Sequence, residues 1–145
     1  APPQEPAPQP DAQRPLNILL VEDNHNNRLL FSFYLKNTPH QVDFAENGEI
    51  GVVKAKSGRC DVIFMDVEMP IMDGYEATRR IRRWEQETGR TRTPIIALTA
   101  HALKGQEDIS LEAGCDEHMT KPFKKADLLD ALEQYVPKAN RENAS

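Results

Sequence analysis

Long apolar runs are missing from this chain. No stretch approaches the roughly 20 consecutive apolar residues that a membrane span needs, and the N-terminus lacks the charged-then-apolar order of a signal peptide. The expectation is therefore a cytoplasmic location with no direct membrane contact. Cysteine is scarce, with Cys60 and Cys115 as the only two. Each sits just before an apolar run. If another strand lies between theirs, they stand about two strand spacings apart, roughly 9 to 10 Å, which a disulfide does not reach. Two buried free thiols are expected. Positive charge is in deficit: 18 Lys and Arg face 23 Asp and Glu, for a net charge of -5. With no basic stripe to offset this balance, direct contact with nucleic acid is not expected. Internal repeats are absent too. The 145 residues, 39 % of them hydrophobic, suit one core of ordinary size and leave no room for a second large domain.

The ends differ from the middle. Six of the eleven prolines fall in residues 1 to 15, where little is apolar enough to pack. That segment reads as a disordered Pro-rich linker, and residues 138 to 145 read as a polar, frayed tail. A chain opening on Ala1 and such a linker reads as an excised piece of something longer, monomeric when isolated. Between the ends, residues 16 to 137 alternate strand and helix. The spacing predicts strands near 16 to 22, 41 to 45, 61 to 65, 94 to 98 and 116 to 120, and helices near 24 to 37, 46 to 57, 74 to 87, 103 to 113 and 124 to 136. Such alternation implies right-handed βαβ units in an α/β, doubly wound parallel sheet.

Four of these runs end in residues suited to phosphate chemistry. Ile18 to Val21 delivers Glu22 and Asp23, Val62 to Met65 delivers Asp66, Ile95 to Leu98 delivers Thr99, and the stretch from Asp116 to Thr120 delivers Lys121. Ligands of such sheets bind beyond the carboxyl ends of the strands. Three carboxylates, a hydroxyl and an ammonium therefore meet in one crevice. One acid after one strand is commonly a helix cap or a solvated loop residue; five placements at successive strand ends specify a phosphoryl-accepting site.

The strings Leu-Val-Glu-Asp-Asn-His-Asn-Asn-Arg (20 to 28), Met-Asp-Val-Glu-Met-Pro-Ile-Met-Asp-Gly (65 to 74), Ala-Leu-Thr-Ala (97 to 100) and Lys-Pro-Phe (121 to 123) resemble the receiver domain of two-component signalling. The opening string is most like receivers fused to hybrid sensor histidine kinases. The resemblance implies a flavodoxin-like fold with five strands in the order 2-1-3-4-5 and five helices. It implies that Asp66 accepts a phosphoryl group from the phosphohistidine of a histidine kinase or a histidine phosphotransfer domain. Mg²⁺ would be the cofactor, held by Asp23, Asp66 and the main-chain carbonyl of Glu68, with Glu22 acting through a water. Many receivers carry Asp where Glu22 stands, which puts the reach of this longer side chain to the metal in question. Thr99 and Lys121 would bind the phosphoryl group, and the bond from Lys121 to Pro122 would be cis. Glu68 and His101 would tune the lifetime of the phosphoryl group. His118 would stand where the family often has a switching Tyr or Phe, although a half-buried imidazole without that role is the other reading. Unlike Tyr or Phe, an imidazole is a side chain that ordinarily changes charge near neutral pH.

Two other classes stay open at this point. A Mg²⁺-dependent phosphatase with an Asp nucleophile needs a second acid two residues on, where Glu68 stands, but Met69 and Pro70 and the small size of the chain oppose it. A non-phosphorylated interaction module of the same fold is opposed by the intact set of Asp23, Asp66, Thr99 and Lys121. Among the remaining residues, His25 reads as solvated and His40 as surface. Arg79, Arg80, Arg82 and Arg83 read as a solvated helix face paired with Glu76, Glu85 and Glu87, and Asp73 as a helix cap. On the first helix, 100° per residue turns Asn27, Leu30, Phe31, Tyr34 and Leu35 to the sheet. Leu29 and Phe33 then face water one turn apart, as a docking pair for a histidine-bearing partner.

Overall fold

The computed structural model describes residues 15 to 100 and 105 to 135. The expected tail, His101, and all of the expected linker except Pro15 lie outside these residues. Five strands, β1 (Asn17–Val21), β2 (Gln41–Ala45), β3 (Val62–Asp66), β4 (Ile95–Thr99) and β5 (Glu117–Thr120), alternate with α1 (His25–Tyr34), α2 (Gly48–Ala55), α3 (Gly74–Thr88), α4 (Gln106–Ala113) and α5 (Lys125–Glu133). All strand pairs are parallel, in the order β2-β1-β3-β4-β5. This is the flavodoxin-like arrangement that the resemblance implies.

Side chains of a strand alternate between faces, and each central strand feeds two cores. Leu19, Val21, Ile63, Met65, Ile95 and Ala97 pack on one face with Val52 and Ala55 of α2 and Ala77 and Ile81 of α3. Ile18, Leu20, Val62, Phe64, Ile96 and Leu98 pack on the other with Phe31 and Leu35 from α1 and Leu128 and Leu132 of α5. Burial on both faces explains why these strands are apolar throughout. β2 and β5 form the edges and are only partly buried.

Local signals start and stop the helices as the residue types require. Asn24, Asn47 and Asp73 each accept a hydrogen bond from the backbone three residues on, at 3.0, 2.8 and 2.9 Å, satisfying an amide that the first turn leaves unpaired. Gly89 ends α3 at φ 70°, a conformation that costs glycine nothing.

Four expectations need correction. Leu30 is exposed rather than turned to the sheet, because the buried arc of α1 centres on Phe31 and Leu35 and Leu30 lies one residue, about 100°, to its side. Cys60 is half-buried, whereas Cys115 is buried; both are free thiols, and burial pushes Cys60 up to about 11. Arg82 is not on a solvated face. It is buried, donating to Glu85 at 2.9 Å, Asp116 at 2.7 Å and the carbonyls of Gly114 and Thr93. His40 is not on the surface either: it is buried, and its Nδ1 accepts from the Leu16 amide at 3.0 Å.

Burial holds the His40 imidazole below its ordinary value. The unfolded chain therefore binds a proton there at a pH where the folded one does not. Stability from this site is full above about 6.5 and is lost as pH falls from there through the lower folded-state value. Thermal unfolding of the parent should show this decline. His40→Gln should flatten it, and an unchanged pH profile in the variant would remove His40 as its source.

Candidate functional site

Strand parity explains which groups meet at the carboxyl end of the sheet. Glu22 continues the phase of Ile18 and Leu20, Asp66 that of Val62 and Phe64, and Lys121 that of Met119, all of which belong to the α1 and α5 side. These three side chains come together: Lys121 Nζ lies 3.4 Å from Glu22 Oε1 and 3.3 Å from Asp66 Oδ2. Asp23 joins them at the exposed mouth. One carboxylate oxygen from each of Glu22, Asp23 and Asp66 falls within a mutual 4.8 Å. Thr99 continues the opposite phase, that of Ile95 and Ala97, and its carbonyl accepts from the Lys121 amide at 2.7 Å. The bond from Lys121 to Pro122 is cis.

Glu22 and Asp66 are almost wholly buried, and the electrostatics follow. Asp66 is raised to about 7, first by burial and then by the charge of Glu22, while the Glu68 amide on its Oδ1 at 3.1 Å and Lys121 act the other way. Partial burial works against the Lys121 ammonium, but Asp66 and Glu22 outweigh it and hold Lys121 above its ordinary value. Hard oxygen donors gathered around too few cations are the donor set that Mg²⁺ favours. Glu22, Asp23 and Asp66 thus fit a divalent metal. Glu68 is exposed just past β3.

His118 points away from this cluster, toward α4, with Nε2 3.7 Å from Glu107 Oε2. It therefore shares a face of the sheet with Thr99. Leu29 and Phe33 are 56 % and 65 % exposed, as the phase of α1 requires. Between α1 and the loop after β5 lies a cavity of about 320 Å³, walled by Leu30, Phe31, Pro122 and Phe123, with Glu22 and Lys121 at its edge. Leu30 and Phe123 were not among the candidate site residues; their nearness to Lys121 depends on how α1 lies against the loop after β5, which no local pattern encodes. Ile71, 77 % exposed in the loop after β3, has φ 72°. For a β-branched residue this costs about 1 to 3 kcal/mol, and nothing in its local sequence signals it.

Residues 18 to 133 match the family model of the response regulator receiver domain. The chain belongs to that family. It is 40 % identical over 121 residues, 82 % of its length, to hybrid signal transduction histidine kinase M of Dictyostelium discoideum. To sensor protein GacS of Pseudomonas syringae pv. syringae it is 36 % identical over 135 residues, 93 % of its length. The chain spans only 5 % and 15 % of those two proteins. Among solved structures, the receiver domain of sensor histidine kinase PA1611 from Pseudomonas aeruginosa PAO1, with magnesium coordinated in its active-site cleft, is 40 % identical, with a TM-score of 0.74 over 84 % of this chain and 98 % of that one. A chain in the co-crystal structure of the Saccharomyces cerevisiae histidine phosphotransfer protein Ypd1 with the receiver domain of Ssk1 gives a TM-score of 0.82 at 29 % identity, over 86 % of this chain and 91 % of that one.

Metal-free, this receiver domain should carry the cost of its acidic cluster. Asp66 titrates near 3.8 when unperturbed and near 7 here, so across that window the folded state holds the extra proton. Its contribution is full below about 4 and is lost as pH rises to about 7. Thermal unfolding in chelator should show the decline in the parent and a smaller one in Asp66→Asn. Parallel profiles would mean that Asp66 is not the titrating group.

Proposed function

We propose that this receiver domain takes a phosphoryl group from phosphohistidine onto Asp66 with Mg²⁺ and passes the change on as a conformational switch in a phosphorelay. The observation that carries the reading is the buried Asp66 carboxylate with the Lys121 ammonium at 3.3 Å and two further acids beside it. Asp66 would attack the phosphorus, a bond forming between its oxygen and phosphorus as the bond from phosphorus to the donor imidazole nitrogen breaks and the electron pair leaves with the imidazole. Lys121 would hold a phosphoryl oxygen as a point charge, and the Thr99 hydroxyl would donate to another. Asp23, Asp66 and the Glu68 carbonyl would hold Mg²⁺, with Glu22 through a water; when bound, the metal neutralises charge on the phosphoryl oxygens.

As an isolated domain it would catalyse only its own phosphorylation and dephosphorylation. The parent would be a hybrid sensor histidine kinase, with this segment on the cytoplasmic side. Among the described residues, no helix is long and apolar enough to cross a membrane. Glu68 would tune the lifetime of the acyl phosphate, and so would His101. The switching role of His118 is supported by its placement on the Thr99 side, against Glu107.

The donor would be a histidine kinase or a histidine phosphotransfer domain, docking over α1. Leu29 and Phe33 with the neighbouring cavity form an apolar surface at the rim of the crevice, of the kind that partner helices cover.

Acetyl phosphate with Mg²⁺ should add one phosphoryl group by intact mass, and Asp66→Asn should abolish it. Full incorporation by the variant would move the site elsewhere. Docking is tested separately. Because both side chains are exposed, Leu29→Ala with Phe33→Ala should leave the fold within about 0.5 kcal/mol of the parent. Phosphotransfer from a protein donor should slow about tenfold, equivalent to about 1.4 kcal/mol, with acetyl phosphate labelling unchanged. Loss in neither reaction would place docking elsewhere, and equal loss in both would mean that the pair supports the fold of the site and not docking.

A further inference from the structure

Glu22 is held at both its backbone and its carboxylate. Its amide donates to the Ala45 carbonyl at 2.9 Å, and its own carbonyl accepts from Arg28 Nη1 at 2.8 Å. Oε1 faces Lys121. Oε2 accepts two hydrogen bonds at 3.2 Å, one from the Asn24 amide and one from the side-chain Nδ2 of Asn27. The first turn of α1 is therefore wrapped around this residue. Asn27 is itself fixed there, since its amide donates to the capping Asn24 Oδ1 at 3.0 Å.

A glutamate has one more rotatable bond than an aspartate and loses more freedom when held. The Asn24 amide alone is a single pivot about which the carboxylate can still turn. A second donor on the same oxygen removes that rotation. The amide of Asn27 is uncharged, so it orients the carboxylate without neutralising it and leaves its full charge available to a cation. Among the described residues Asn27 has no other side-chain hydrogen bond, and it is half-buried, so its amide is spent on this contact.

We propose that Asn27 is a positioning residue for the divalent-cation site: its amide holds the Glu22 carboxylate in the orientation from which it can serve the metal, Lys121 occupying the other oxygen. The inference rests on the reading of the crevice as an Mg²⁺ site. Groups that orient a direct metal ligand by hydrogen bonding commonly contribute a factor of 10 to 100 in metal affinity; Glu22 would act through a water, one shell further out, so Asn27 is expected at the low end of that range. Among the described residues no hydrogen bond joins it to Asp66 or Lys121, so it would act on the metal site and not on the transfer step.

The test is an Mg²⁺ titration of the parent, Asn27→Ala and Asn27→Leu, read first as the metal-induced rise in thermal midpoint and second as the labelling rate with acetyl phosphate. Alanine is a strong helix former, and leucine keeps the volume near Asn27; neither donates a hydrogen bond. Half-saturation of the thermal shift should move to about tenfold higher Mg²⁺ in both variants. The labelling rate should show the same shift in half-saturation yet reach the parent's value at saturating metal. Unchanged half-saturation in either folded variant would overturn the positioning role while leaving the Mg²⁺ reading intact. A reduced rate at saturating metal would also overturn it, by placing Asn27 in the transfer step. No response of the parent to Mg²⁺ would instead remove the reading of the crevice, and the positioning role with it.

Discussion

One ammonium shared between two buried carboxylates governs this crevice. Two unit charges about 4 Å apart interact by about 4 kcal/mol at an effective dielectric constant of 20, and a carboxylate oxygen of Glu22 lies within 4.8 Å of one of Asp66, on side chains that are almost wholly buried. Lys121 turns that repulsion into two attractions. It does not remove it altogether, because Asp66 still sits near 7. The resting domain is therefore short of positive charge where its carboxylates converge. Every other feature of the site either tolerates that deficit or places the groups that create it.

Placement is the work of parity. Glu22, Asp66 and Lys121 share a side of the sheet because each continues the phase of apolar residues that pack on α1 and α5. Thr99 and His118 take the other side for the same reason. Slipping β1 by one residue would turn Glu22 away from Lys121 and turn Leu19 and Val21 out of their core in the same motion. The apolar belts thus protect the register of the charged tips, and the energy that fixes the chemistry comes from residues with no part in it.

The same parity explains what could be read without a fold. Apolar blocks such as Val62 to Met65 announce strands, and the acids, hydroxyl and lysine after them announce the crevice, because both follow from order along the chain. Asp73 before Gly74 is likewise local. What escaped were contacts between distant segments: Leu16 with His40, 24 residues apart, and Arg82 with Asp116, 34 apart. A histidine between a proline and a glutamine and an arginine in a run of arginines look solvated until the partner that buries them is known. Arg82 stands on the α3 face that meets the turn before β5, so its guanidinium is enclosed there, while Arg79 and Arg80 pair with Glu76 in water. Leu30 failed for a different reason. A helical wheel assigns an arc but not its centre, and a 100° step decides between core and cavity rim.

Position 22 shows how far one methylene can matter. An aspartate there would end closer to the backbone of β1, whereas the longer glutamate carries its carboxylate to Lys121, just past the strand three places away in the sheet, and keeps its second oxygen within reach of α1. The two adjacent acids consequently occupy different environments: Glu22 is enclosed and fully engaged, and Asp23 stands exposed at the mouth. A cation bound here would be held by Asp23 at the mouth and by the inner pair that Lys121 now bridges. Whatever neutralises Glu22 and Asp66 from outside weakens their hold on Lys121. On the proposed reading the ammonium would then be free to pair with a phosphoryl group on Asp66, so that filling the acidic cluster and releasing the lysine would be coupled by the same two carboxylates.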